Sequence, residues 1–544
     1  MDAGTMLAGH LGRLGIPVPD VRVEAEPETV VQARTGLMTV HGRERGTPRR
    51  LGLDVATAAT GILAAQGALA VLIGRLRGLP TRGVTVHAAA GGLQFVRHHL
   101  AIATGGGAFP YRPAGVPGPP FRTADGHWIE IEVLAGDDWA AFWRRLGLDG
   151  PGVVGAAWLP FVYRYLAGEC RVPPELPAAV ARHSLAQVRA AAVTCGAAVV
   201  PIRTTAAPGG LAPWTLEPHG TREAVRRAPR AAEAGPLAGL RVVEVTSRLQ
   251  GPLAGLLLSR LGAEVTKVEP PGGDFGRHSP PLAGETGAAY LAYNDGKRVV
   301  EIDYKLPAGR AELRELAAGA DVFLHNWRPG RAEALGLDAA AVARVNPSVV
   351  YAHASGWDGA DDPPCPIAGD FVVQAYAGTG ALLHPRGADP LPSRVTLIDV
   401  TGGLLAGEAV LAGLHHRERT GRGCRAGSSL VRAAAVLAAS ARSRWGPWDA
   451  PLETRAGHLA VAGADAARLR AAFGLPSRCA DADVRDRLRR AIADKGVRRL
   501  AAAGVPAVVV PADLAGLPAD PRLAGLLRRV GGAWVPGDPW RFHA

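Results

Sequence analysis

Leu240-Arg241-Val242-Val243-Glu244-Val245-Thr246, the apolar stretch Gly251 to Gly262, and Ala263-Glu264-Val265-Thr266-Lys267-Val268-Glu269 together decide the fold. Two short Val-rich runs flank a stretch with helical spacing, which predicts strand, helix, strand. Working outward, Asp321-Val322-Phe323-Leu324-His325-Asn326 and Ser348-Val349-Val350-Tyr351-Ala352-His353 are further strand candidates, and Pro307 to Ala318 carries a helical pattern. Strands alternating with helices imply a parallel sheet wound in the Rossmann manner, with ligands outside the carboxyl ends of the strands. The first turn, Thr246-Ser247-Arg248-Leu249-Gln250-Gly251-Pro252, lacks the GxGxxG dinucleotide pattern. It still sets Arg248, Gln250 and free amides at a helix N-terminus, a setting suited to phosphate. Glu269 to Asp274, Asn294-Asp295-Gly296-Lys297-Arg298 and Asn326-Trp327-Arg328-Pro329-Gly330 fall at the same sheet edge.

Around this unit the chain matches itself. Val30-Val31-Gln32-Ala33 and Val372-Val373-Gln374-Ala375 stand 342 residues apart (372 − 30), and the same offset relates Gly61 to Gly403. It places Thr57 opposite Asp399, so one copy carries a hydroxyl where the other carries an acid. Farther along, Arg122 to His127 corresponds to Glu453 to His458, and Cys195 to Pro201 to Ala503 to Val509. Residues from about 28 to 205 therefore repeat those from about 370 to 515, while the alternating strand and helix unit has no counterpart in the first copy. A gap would bring Asp54 opposite Asp399; the ungapped match argues against it.

With 544 residues, 48% of them hydrophobic, the chain is long enough for several cores and outside the composition range of disorder. Its formal net charge is +12, but the arginines are spread along the chain rather than gathered in a tract, so no nucleic-acid partner is expected. Cys170, Cys195, Cys365, Cys424 and Cys479 are far apart, which argues against a metal or a disulfide framework. Met1 to Val18 has no basic stretch followed by an apolar core, and a cytoplasmic location is expected. Thr57 to Gly74 is apolar enough to weigh as a membrane span, but it contains Gln66 and matches Gly403 to Leu414, so a buried helix and no membrane association are expected.

Five strings taken in order, Pro236 to Glu244, Leu261 to Asp274, Asn326-Trp327-Arg328-Pro329-Gly330, Phe371-Val372-Val373-Gln374-Ala375 and Arg417 to Gly423, make residues 236 to 430 resemble the family III CoA-transferases. That family contains formyl-CoA transferase, carnitine CoA-transferase and α-methylacyl-CoA racemase. The resemblance implies coenzyme A as part of an acyl-CoA substrate, a carboxylic acid as acceptor, and Asp399 as the nucleophile that passes through anhydride and aspartyl-CoA intermediates. Covalent catalysis of this kind splits one hard step into easier ones. Asp399 could also cap the helix beginning at Val400 or Thr401, and both roles can hold at once. Glu453 matches a glutamate used in the racemase branch. For the CoA site the resemblance draws on Arg248, Gln250 and Gly251 in the first turn, Lys297 and Arg298 for phosphates, and Asn326 with Trp327 near the adenine.

Departures accompany these matches. Ala334 stands where many members have Arg, leaving Arg331 as a substitute. Gly369 or Asp370 stands where the racemase branch has His, so a racemase would need His353 or His384 as its second base. No glycine-rich lid is found in Ser440 to Pro451, although Ala103-Thr104-Gly105-Gly106-Gly107-Ala108 could serve as one.

Family members are interlocked homodimers, so the expected fold is α/β: a Rossmann-like parallel sheet domain plus smaller α+β domains, folded as a pseudo-dimer that stands alone or pairs again as a homodimer. The expected division is an incomplete copy over 1–205, a linker over 206–235, a CoA-binding domain over 236–430, a small domain over 431–515 and a return segment over 516–544. The leading expectation is a CoA-transferase. An acyl-CoA racemase using Asp399 as a base and a non-catalytic CoA-binding or scaffold homologue are the alternatives.

Overall fold

Arg298–Glu301, Glu264–Glu269, Arg241–Val245, Val322–His325, Val350–Ser355 and Cys424–Ser429 lie side by side in that order, all parallel. In chain order this is 3-2-1-4-5-6, the doubly wound arrangement whose ligand crevice opens where the strand order reverses, between the first and fourth strands. The computed structural model describes residues 1–206, 210–219, 235–441, 445–446, 448–463, 466–490 and 493–543. A seventh strand, Thr215–Pro218, pairs antiparallel with Cys424–Ser429. It comes from the stretch expected to be a linker, so part of that stretch closes the edge of the large sheet; residues 220–234 lie outside the described residues.

The repeat seen in the sequence is also a repeat of hydrogen bonds. Val55–Leu76 and Leu397–Thr420 are long helices whose first residues stand at the 342 offset, and they pack against each other, with Gln66 Nε2 donating to the Leu404 carbonyl at 2.5 Å. Ahead of the first, the Glu28 carboxylate accepts from the Ala56 and Thr57 amides at 3.0 and 2.8 Å. Ahead of the second, Asp370 accepts from the Ile398 and Asp399 amides at 2.7 and 2.8 Å. Gln32 bridges Glu28 to the Leu51 and Leu53 carbonyls, and Gln374 bridges Asp370 to those of Ser393 and Val395. Both helices are apolar and long enough to cross a membrane by length and composition, yet 89% and 94% of their most apolar windows are buried inside the protein. They are core helices.

Two small antiparallel sheets have the same strand order. One is Phe121–Arg122, Trp128–Glu132, Ala198–Pro201; the other is Leu452–Thr454, Gly457–Val461, Ala507–Val510. They pack crosswise: the first lies on Asp370–Ala377 and the second on Glu28–Arg34. Val30, Ala33 and Met38 share a buried cluster with Ala460, Val508 and Val510, and the Arg203 amide donates to the Ala375 carbonyl. Trp540–His543 then returns to pair antiparallel with Gly83–His87, which is itself parallel to Asp20–Glu24.

Candidate active site

Asp399 stands in the first turn of Leu397–Thr420 and lines a cavity of about 620 Å³. An acid there would ordinarily cap its own helix. Here the cap is supplied by Asp370, which takes the Ile398 and Asp399 amides, and the Asp399 carboxylate accepts no hydrogen bond from any described residue. The side chain is thus left facing the cavity. Burial raises its pKa to about 7; the nearby Arg248 guanidinium opposes the rise and Glu132 adds to it. Asp370 is also raised, by its own burial and then by the Asp399 charge.

The turn after Arg241–Val245 supplies Arg248, Leu249 and Gln250 to the cavity. Arg248 is the one non-glycine among the described residues with a left-handed backbone, at φ 68°, a conformation that costs free energy and concentrates at functional turns. Gln250 Nε2 donates to the Ser355 carbonyl at 3.1 Å. Its helix, Gln250–Arg260, approaches Leu397–Thr420 at glycine: a Cβ on Gly403 would meet the Gln250 carbonyl at 2.7 Å. Asn326 bonds both the amide and the carbonyl of Ser247, tying two neighbouring strand ends, and Asn326, Trp327, Arg328 and Arg331 line the same cavity.

The opposite wall comes from the first segment. Glu132 ends the strand Trp128–Glu132, and Tyr165 lies near the end of the helix Pro151–Ala167. The Tyr165 hydroxyl donates a short hydrogen bond to Glu132, and Arg164 Nη2 donates to the same carboxylate at 3.0 Å. The Tyr165 ring stacks on Phe371 with centroids 4.3 Å apart. A Cβ on Gly369 would lie 2.8 Å from the Tyr165 hydroxyl and 3.1 Å from Glu132, so a bare backbone at 369 is what admits the pair. Neither residue was marked by sequence. Alternation in Trp128-Ile129-Glu130-Ile131-Glu132 puts both acids on the face a sequence reading gives to solvent, whereas the fold buries that face as well.

Other residues expected at the site stand elsewhere. Lys297 does not line the cavity: its ammonium is fully enclosed, 2.8 Å from Glu244 and bonded to the Pro252 carbonyl and Asn294. Arg298 lies exposed on the edge strand, and Gly251 serves helix packing, since a Cβ there would be 2.6 Å from Thr246. The guanidiniums that do line the cavity are Arg248, Arg328 and Arg331. Glu453 lines a separate cavity with Arg49, Arg50 and His384, and pairs with Arg489 at 3.5 Å. Crosswise packing of the small sheets takes it away from Asp399. His353 stacks on His325 and bonds the Trp327 carbonyl, and His384 bonds the Leu391 carbonyl and stacks on His41; neither lines the cavity of Asp399. Gly105 and Gly107 are packed against Leu282 and Ala283, and the loop holding them does not line the cavity. Asp54 pairs with Arg50 at 3.6 Å, while the Thr57 hydroxyl donates to Glu28 at 2.7 Å.

The chain belongs to CoA-transferase family III, whose model matches residues 24–207 and 237–506. It is 33% identical over 273 residues to human succinyl-CoA:glutarate CoA-transferase, covering 46% of this chain and 60% of that one. To acetyl-CoA:oxalate CoA-transferase of Acetobacter aceti it is 35% identical over 193 residues, covering 35% of this chain and 49% of the other. The chain thus spans about half to three fifths of the length of the curated relatives it matches. A crystal structure of a CaiB/BaiF family protein from Brucella suis superposes with a TM-score of 0.50 at 26% identity, covering 56% of this chain and 92% of that one.

Proposed function

We propose that the protein is a CoA-transferase that moves CoA from an acyl-CoA to a carboxylic acid through Asp399. A carboxylate oxygen of Asp399 attacks the thioester carbonyl, and the CoA thiolate leaves, giving a mixed anhydride. The thiolate then attacks the Asp399 carbonyl, releasing the first carboxylate and leaving an aspartyl-CoA thioester. An acceptor carboxylate attacks that thioester, a second anhydride forms as the thiolate departs, and return of the thiolate to the acceptor's acyl carbon gives the new acyl-CoA and restores Asp399. Each step keeps one carboxyl group activated as an anhydride or thioester and needs no outside reagent.

The observation that carries this reading is that Asp370 caps the helix, which leaves the Asp399 carboxylate free in the cavity. Arg248, Arg328 and Arg331 give phosphates three guanidinium partners along one margin, and Trp327 gives an aromatic face beside them. The crossed small sheets and the repeated hydrogen bonds support a pseudo-dimer with one active site, in which the first segment acts as the partner subunit of the second. The free cysteines accord with a cytoplasmic location.

Incubation with short acyl-CoAs, hydroxylamine trapping and peptide mapping tests the reading. A CoA or hydroxamate adduct on the Asp399 peptide is expected, and it should vanish in Asp399→Asn while CoA binding persists. A second reading, proton transfer at the α-carbon of an acyl-CoA, is favoured by the Asp399 pKa of about 7 and by Glu132 in the same cavity. Exchange of an α-proton for solvent deuterium without adduct formation would select it. CoA binding unaffected by Asp399→Ala, with neither exchange nor adduct, would select a non-catalytic homologue.

A further inference from the structure

We propose that the acyl end of the cavity selects apolar, monocarboxylic acyl groups, and that Glu132 is the residue that turns away acyl chains bearing a second carboxylate. This rests on the CoA-transferase reading of Asp399.

The argument comes from where the charges of the cavity are placed. Arg248 follows Arg241–Val245, and Arg328 and Arg331 follow Val322–His325; these strands are neighbours, so all three cations belong to one margin of the crevice. The lining also carries apolar side chains from both segments, Trp357, Ile367 and Leu430 from the second and Leu134, Val162 and Leu166 from the first, beside the polar Gln250 and Tyr165; its other carboxylate, Asp274, belongs to the second segment. The one ionisable carboxylate on that first-segment wall is Glu132. Its counterion, Arg164, sits behind it with 1% of its side chain exposed, donating to the Phe161 and Ile131 carbonyls and lying 3.8 Å over the Phe161 ring. Arg164 does not line the cavity, so the cavity meets the anion and not the cation. Tyr165, wedged between Glu132 and Gly369, fixes the carboxylate in place.

A distal carboxylate on an acyl chain reaching the first-segment wall would therefore be desolvated beside the like charges of Glu132 and Asp399, with the cavity's guanidiniums on the opposite, second-segment margin. An alkyl chain would meet complementary apolar walls. Removing the Glu132 charge while keeping its shape would leave Arg164, still faced by the buried Glu130, without its carboxylate partner, and would narrow or invert the preference.

The test uses the full chain and two thioether analogues that cannot react, S-butyl-CoA and S-(3-carboxypropyl)-CoA, titrated calorimetrically, together with Asp399 labelling by butyryl-CoA and succinyl-CoA. The wild type is expected to bind the butyl analogue at least ~10-fold more tightly, the scale of one unfavourable charge contact in a partly buried site. Glu132→Gln should narrow or invert that ratio, chiefly by tightening the carboxylated analogue. Tyr165→Phe, which keeps the Glu132 charge and its Arg164 partner, should retain the preference and shows that a changed ratio is not general damage to the wall. Equal binding of the two analogues by the wild type, or an unchanged ratio in Glu132→Gln, overturns the inference. Selective binding without labelling by either thioester instead overturns the transferase reading and leaves the pocket assignment standing.

Discussion

At the scale of single residues, Asp399 works because its neighbour does the structural task. Asp370→Ala would strand the Ile398 and Asp399 amides in the interior, at about 1–3 kcal/mol, and would free the helix end to draw Asp399 back as its cap; reduced adduct formation and a lowered melting temperature are expected together. With a folded pKa of about 7 against an ordinary value of 3.8, Asp399 favours the fold when protonated. That contribution is complete below about pH 4 and is lost as pH rises through about 7. Asp399→Asn should therefore gain on the wild type between pH 4 and 8, seen as a melting-temperature difference that grows with pH. Since the carboxylate is the attacking form, single-turnover labelling of the wild type should fall off below about pH 7. The self-match exposed Asp399 because the first copy supplied an internal control in Thr57. Lys297 misled for a physical reason: after Asn294-Asp295-Gly296 it reads as a loop charge, whereas Glu244, an acid in the middle of a central strand, needs a buried counterion and takes it.

Among the elements, the helix Leu397–Thr420 joins the site to the sheet. Arg417, in its last turn, donates to Asp321 at 2.6 Å, with 2% and 4% of the two side chains exposed. Asp321 also accepts from the Arg241 amide at 2.8 Å, so one carboxylate links the helix to the start of the first strand. Asp321→Ala would leave a buried guanidinium without its carboxylate and is expected to cost about 3–5 kcal/mol, measurable by urea unfolding. The four central parallel strands were legible because Val-rich runs alternate with helical spacing and are largely buried on both faces; Arg298–Glu301, half exposed at the edge, and Cys424–Ser429, with Gly and Ser in its run, were not. Thr215–Pro218 was not, since Pro and Gly surround it and its pairing partner, Cys424–Ser429, is some 200 residues away. Trp214, whose indole donates to the buried Glu408 at 2.9 Å, was the local sign that this stretch packs.

For the molecule as a whole, the two segments are joined by more than the chain. Their long helices pack face to face, the small sheets exchange places, Thr215–Pro218 completes the large sheet and Trp540–His543 completes the small one at Gly83–His87. A protease site inserted within residues 220–234 and cut should give two fragments that co-elute under native conditions and keep adduct formation; separation without denaturant would contradict this architecture. The repeat was legible as sequence, but the crossing was not. Each small sheet could have packed on its own segment, and only long-range contacts decide that it does not. For that reason Glu453 looked like the partner of Asp399 while Glu132 supplies that wall.

The return of Trp540–His543 also orders events in time. Trp540 donates its indole N–H to the Leu63 carbonyl at 2.7 Å, so a helix made early in translation is finished by residues made more than 470 positions later. Until those residues leave the ribosome, the apolar flank of Val55–Leu76 and an open strand edge stay uncovered, the surfaces on which nascent chains aggregate. Production of this protein should consequently depend on chaperone capacity during synthesis more than its final stability would suggest, and ribosome-stalled chains ending before residue 540 should be the species that chaperones hold.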